Sequence, residues 1–267
     1  MEKYVFDEMT LTVAPTRGEM GTIAEKEAAA YIADALKRKA YLRCVFAAAP
    51  SQNDFLGRLF ADERIDFSRI EAFHMDEYIG LRKDDPRTFR AYLKQYFERR
   101  NLMGVHFMDG TNEPQAEIAR YGSEVMEEPI DIVFMGIGEN GHIAFNDPGV
   151  ADFKDPAVMK VAQLDDVCRM QQVHDGCFPE IALVPQYALT LTIPTLMSAE
   201  KVFCIVPTRN KAVALKHAAL DAVSSDFPAT ILRTKKDASV YVDQDCFSLL
   251  EQAIGDGGYH AKIENEE

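Results

Sequence analysis

Two short stretches carry groups able to move protons. HMDEYIGL, residues 74 to 81, sets Asp76 and Glu77 directly behind an apolar run, and MGIGENGHIAFNDPG, residues 135 to 149, presents Asn140, His142 and Asp147 among Gly136, Gly138 and Gly141. A carboxylate at the end of a buried strand is costly unless it faces a cleft or finds partners. A carboxylate and an imidazole delivered to one place make a general base and general acid for a small substrate. Two further stretches suit an anion. In APSQN, residues 49 to 53, Pro50-Ser51 opens a helix, with Ser51 as N-cap and Asp54 completing a capping box. The free N–H groups of such a terminus suit a phosphate. In PTRNK, residues 207 to 211, a Thr208 cap puts Arg209 and Lys211 in a first helical turn, where the helix dipole disfavours each cation by ~0.3–1 kcal/mol. A bound anion relieves that conflict, and Lys211 is the better candidate to hold it.

The three glycines spell G-x-G-x-x-G, but a dinucleotide cradle needs a helix starting at the third glycine and belongs in a first βα unit. Here Asn146-Asp147-Pro148-Gly149 brings turn chemistry too early for a crossover helix. The loop instead offers a flexible backbone that carries His142 close to Asn140 and Asp147.

The elements that must position these residues alternate. Helical patterns cover 24–36, 51–60, 89–97, 116–125, 211–219 and 247–254, and strand patterns cover 41–47, 70–75, 130–135, 201–206 and 239–242. Such alternation implies an α/β fold, a mostly parallel sheet with helices on both faces. Ligands of open α/β sheets sit outside the carboxyl ends of the strands, which is where all four stretches fall. Residues 147–186 are the least periodic and are expected to include a mobile lid; the polar tail after Gly255 is expected to fray. With no repeat, low-complexity tract or linker, residues 1–267 read as a single domain.

Composition narrows the partners. The chain has 267 residues, 47% hydrophobic, and a net charge of −14, which argues against nucleic acid or an anionic membrane as partner. No stretch is long and apolar enough to span a bilayer, and MEKYVFDEMT lacks a leader pattern, so a cytoplasmic protein is expected. Five scattered cysteines without C-x-x-C pairs read as reduced packing thiols, not as a disulfide or metal site.

With these residues assembled, the sequence resembles the glucosamine-6-phosphate deaminase (isomerase) family, which shares its fold with 6-phosphogluconolactonases. MDEYIGL at 75–81 and GIGENGHIAFNDPG at 136–149 carry the resemblance, which runs from about residue 20 to 245. Tyr78 and Ile143-Ala144-Phe145-Asn146 favour the deaminase branch over the lactonase branch. The resemblance implies a Rossmann-like domain that converts glucosamine 6-phosphate, or a close epimer, and water to fructose 6-phosphate and ammonia, without metal or organic cofactor. It implies that Asp76 moves a proton between C2 and C1, that His142 opens the ring, and that Asp147 stands where a glutamate usually orients the histidine. Asn140 stands where many members carry aspartate, and Lys211 resembles the phosphate-binding lysine. Ser51, Gln52, Glu77, Gly138 and Gly141 complete the expected substrate-binding set. The partner is then a small phosphorylated amino sugar, and a homo-oligomer is left open. The chain departs from the family at Ala47-Ala48-Ala49-Pro50-Ser51-Gln52, where a Gly-Gly phosphate loop is common, and before VPQYALT, where Arg169 is the nearest candidate for a missing arginine. Two alternatives stand beside this reading: a lactonase-type hydrolase, and a sugar-phosphate-binding regulator without turnover.

Overall fold

Strands buried on both faces carry side chains alternately to two separate cores. In the strand Leu42–Phe46, Cys44 and Phe46 pack on one side and Val45 on the other; along Lys201–Val206, Phe203 and Ile205 oppose Val202, Cys204 and Val206. This is why the sequence shows continuous apolar runs where a half-exposed sheet would show alternation.

The structure is a computed structural model that describes residues 1–255 and the backbone of Lys262–Ile263. In chain order it runs β1 (Glu2–Phe6), β2 (Met9–Ala14), α1 (Arg17–Arg38), β3 (Leu42–Phe46), α2 (Asn53–Leu59), β4 (Ile70–His74) and β5 (Asp76–Tyr78). Then follow α3 (Phe89–Phe97), β6 (Gly104–Val105), α4 (Pro114–Met126), β7 (Ile132–Met135), β8 (Met159–Gln163), α5 (Asp166–His174) and β9 (Tyr187–Leu191). The last third holds α6 (Ile193–Met197), β10 (Lys201–Val206), α7 (Ala212–Leu220), β11 (Ala238–Asp243), α8 (Gln244–Gly255) and β12 (Lys262–Ile263). Nine strands form the main sheet in the order β12-β1-β2-β11-β10-β7-β3-β4-β6, parallel from β2 to β6 and antiparallel at the β1 edge. Helices α1, α2 and α3 cover one face and α4, α7 and α8 the other. The chain builds outward from β3 through β4 to β6, then returns to β7 on the other side of β3. Between β3 and β7 the connecting loops therefore diverge, the place where such sheets take ligands.

The expected α/β architecture is present, and α3 and β10 have the expected boundaries. Three features were not legible. The β1–β2 hairpin lies in a stretch whose acidic residues hide its pattern. A small antiparallel sheet, β5-β9-β8, stands beside the main one. Residues 147–186, taken as the least regular, contain β8 and the capped helix α5, whose N-cap Asp165 accepts a bond from the Cys168 N–H at 2.6 Å. Of the tail after Gly255, expected to fray, residues 256–261 and 264–267 lie outside the described ones, and Lys262–Ile263 instead pair with β1 as an edge strand. All five cysteines are free thiols, and all but Cys177 are buried. Among the described residues no helix is long and apolar enough to cross a membrane.

Candidate active site

Each of the four adjacent strands β10, β7, β3 and β4 ends at the same cleft, which spans about 530 Å³ including its open mouth and is lined among others by Ser51, Gln52, Asp76, Gly138, His142 and Lys211. Six of the residues singled out from sequence thus converge here. The remaining four take other places.

Asp76 opens β5 and pairs with Thr190 of β9. It is 6% exposed, and its carboxylate has no hydrogen-bond partner among the described residues. Burial, then the charge of Glu77, push its carboxyl well above the usual range. A carboxylate so placed is a strong base once ionised. Glu77 points away from the cleft, since successive strand residues face opposite sides. Its carboxylate accepts the backbone N–H groups of Tyr78 at 2.9 Å, Phe89 at 3.1 Å and Arg90 at 2.9 Å, satisfying the start of α3. Its expected contact with substrate is therefore corrected to a helix-capping place.

His142 is held from behind. Its Nδ1 lies 2.7 Å from Asn140 Oδ1 and 3.0 Å from Asp147 Oδ1, both acceptors, so Nδ1 carries the proton and Nε2 is left without a protein partner among the described residues. Asn140 also accepts the His142 N–H at 3.0 Å, and its amide donates to Asp147 at 3.2 Å and Asp165 at 3.0 Å. Burial works against the Asp147 charge, but the imidazole, the Asn140 amide and the Asp165 N–H outweigh it and hold that carboxyl below its usual range. Asn140 and Asp147 therefore position the histidine and do not line the cleft. The ring lies flat over Gly138, where a Cβ would fall 2.2 Å from its Cε1. Gly141 is likewise behind the site, at φ +83° with no room for a Cβ against Phe227.

Lys211 is buried with its Nζ unpartnered among the described residues. Burial lowers its affinity for a proton, opposed by the nearby Asp175 and Glu139 charges. It ends a 3₁₀ turn ahead of α7, and the capping expected of Thr208 is absent: that residue has φ +78° and its N–H donates to Asp243 at 3.0 Å. Arg209 is exposed outside the cleft. Ser51 is no N-cap either; Pro50–Gln52 form a 3₁₀ turn before α2, and Asp54 pairs with Arg17 at 2.6 Å instead of closing a capping box. Arg169, the candidate replacement arginine, is spent on Asp166 and on the carbonyls of Ile181 and Val184.

Sequence reasoning missed Gln171 and Gln172, which α5 brings to the cleft. The Asp165 cap ahead of Cys168 was the available signal. Cys168 also lies beside the histidine: one ligand-type atom each from His142, Asp147 and Cys168 lie within 4.8 Å of one another. Burial holds that thiol protonated, while the other two groups already bond to each other, so the trio as it stands is a hydrogen-bonded cluster.

Comparison with known proteins bears on the family and the fold. Residues 15–241 match the family described as glucosamine-6-phosphate isomerases/6-phosphogluconolactonase. A glucosamine-6-phosphate deaminase of Lactobacillus delbrueckii subsp. bulgaricus is 32% identical over 190 residues, 70% of this chain and 79% of its own. Glucosamine-6-phosphate deaminase 1 of Bacillus subtilis is 34% identical over 197 residues, 72% of this chain and 79% of its own. The solved structure of a monomeric glucosamine-6-phosphate deaminase superposes with a TM-score of 0.80 at 29% identity, over 90% of this chain and 99% of the other. A 6-phosphogluconolactonase from Thermotoga maritima, at 18% identity and a TM-score of 0.71 over 88% of this chain and 100% of the other, shares the fold. The chain belongs to the glucosamine-6-phosphate isomerase/6-phosphogluconolactonase family.

Proposed function

We propose that the protein deaminates and isomerises an amino-sugar phosphate, taking glucosamine 6-phosphate or a close epimer and water to the ketose 6-phosphate and ammonia. The observation that carries this reading is the buried, unpartnered Asp76 carboxylate in the same cleft as a histidine whose Nδ1 proton is pinned by Asn140 and Asp147. The pinned tautomer leaves Nε2 to take the proton of the anomeric hydroxyl and to return one to the ring oxygen as the pyranose opens. Asp76 then removes the proton from C2 and returns it to C1, a transfer in which positioning supplies much of the rate. The resulting ketose-level iminium takes up water and releases ammonia. Lys211 anchors the phosphate, since an unpaired buried ammonium is stable only beside an anion.

The test is ammonia release from glucosamine 6-phosphate and from its C4 epimer, beside hydrolysis of 6-phosphogluconolactone. Ammonia from either amino sugar supports the reading. Lactone hydrolysis without ammonia, or sugar-phosphate binding without any turnover, sinks it.

A further inference from the structure

Gln52 is 1% exposed, and its carboxamide has a settled orientation. Its Nε2 lies 3.1 Å from the carbonyl of Ile205 and 3.1 Å from Ser51 Oγ. A backbone carbonyl can only accept, so the nitrogen must be on that side. The oxygen Oε1 is then a buried acceptor without a hydrogen-bond partner among the described residues, just as Lys211 Nζ is a buried donor without one. Gly136 keeps the amide in place: a Cβ there would stand 3.0 Å from Nε2 and 3.2 Å from the Ile205 oxygen.

These two unmatched atoms ask for opposite chemistry from the ligand. We propose that Gln52 is a specificity residue that accepts a hydrogen bond from a substrate hydroxyl and makes no contact with the phosphate. The dianionic phosphate ester of a sugar offers only acceptor oxygens, which would meet the partial negative charge of Oε1. It belongs instead at Lys211, joined by the Ser51 hydroxyl, which takes one bond from Gln52 and keeps its own O–H to give. The inference rests on the sugar-phosphate reading above and divides its substrate between the two sides of the cleft.

The experiment separates the sugar from the phosphate by calorimetric titration of the whole chain with fructose 6-phosphate and with inorganic phosphate. Gln52→Met keeps the volume and removes the acceptor. It should weaken fructose 6-phosphate by about 3- to 10-fold, the range of one neutral hydrogen bond, and leave inorganic phosphate within about twofold. Equal weakening of both ligands, or none of fructose 6-phosphate, overturns the proposal. A second measurement needs no variant: in a series of fructose 6-phosphate analogues each lacking one hydroxyl, at least one should bind the unaltered protein about 3- to 10-fold more weakly. That analogue should lose nothing more with Gln52→Met. A series binding as tightly as the parent overturns the proposal even if the variant fails to fold. Absence of ammonia release with this binding pattern intact would sink the deaminase reading and leave the role of Gln52 standing.

Discussion

Asp76 and Glu77 are adjacent in the chain and opposite in setting: the first turns an unpartnered carboxylate to the cleft, and the second buries its carboxylate under three backbone N–H groups at the start of α3. The pairing of β5 with β9 imposes this split, because the register Asp76 to Thr190 decides which residue faces which side. The Glu77 charge then raises the Asp76 carboxyl beyond what burial alone does.

Removing the proton acceptor without changing its shape should separate binding from chemistry. Asp76→Asn is expected to lower kcat by about 10²- to 10⁴-fold, the usual share of a positioned acid or base, while fructose 6-phosphate still protects the protein against heat. Retained ammonia release by this variant would remove Asp76 from the reaction.

Glu77 should leave a mark on stability. Burial raises its carboxyl from 4.5 to about 7, although the three N–H groups and Arg90 pull it down. The folded chain therefore holds this proton more tightly than the unfolded chain. The resulting stability is fully present below pH 4.5 and is lost as pH rises through about 7. Unfolding measured against pH should show the wild type losing ground to Glu77→Gln across that window, by at most about 1.4 kcal/mol per pH unit. Removing this charge also eases ionisation of Asp76, so the acidic limb of kcat/KM should move to lower pH. Parallel stability curves would contradict the burial argument.

Lys211 should show a conflict between binding and folding. Its unpaired ammonium costs the ligand-free protein stability and gains it back against an anion. Lys211→Met is expected to raise the melting temperature of the free protein and to raise KM by about 10- to 100-fold, the range for a charged hydrogen bond, with kcat little changed. An unchanged KM would move the anion elsewhere in the cleft.

Asn140 bridges two carboxylates through its amide and holds the imidazole through its oxygen. Asn140→Asp replaces both N–H bonds with oxygen against oxygen, and should cost about 2–4 kcal/mol at neutral pH. The added charge also favours imidazolium. The histidine-dependent limb of kcat/KM should therefore move to higher pH, and the melting deficit should shrink in acid. Superimposable profiles would show that residue 140 has no electrostatic hold on His142.

What the sequence alone determined was local or double-sided. Strands such as β7 and β10 are apolar on both faces, so their runs are visible without knowing their neighbours, and the helices between them imply the parallel sheet. The His142 cluster was legible because Asn140, His142 and Asp147 belong to one glycine loop; Lys211 was legible as a cation in the turn after a strand, although the Thr208 cap assumed for that turn is absent. Tertiary structure alone decided which way Glu77 faces, since β5 has three residues and takes its direction from β9, far along the chain. It also decided that Gln171 and Gln172 reach the cleft, and that Ser51 and Thr208 cap nothing: a side chain caps or lines a site according to the backbone angles and partners it meets, and those come from contacts between segments that sequence spacing does not encode.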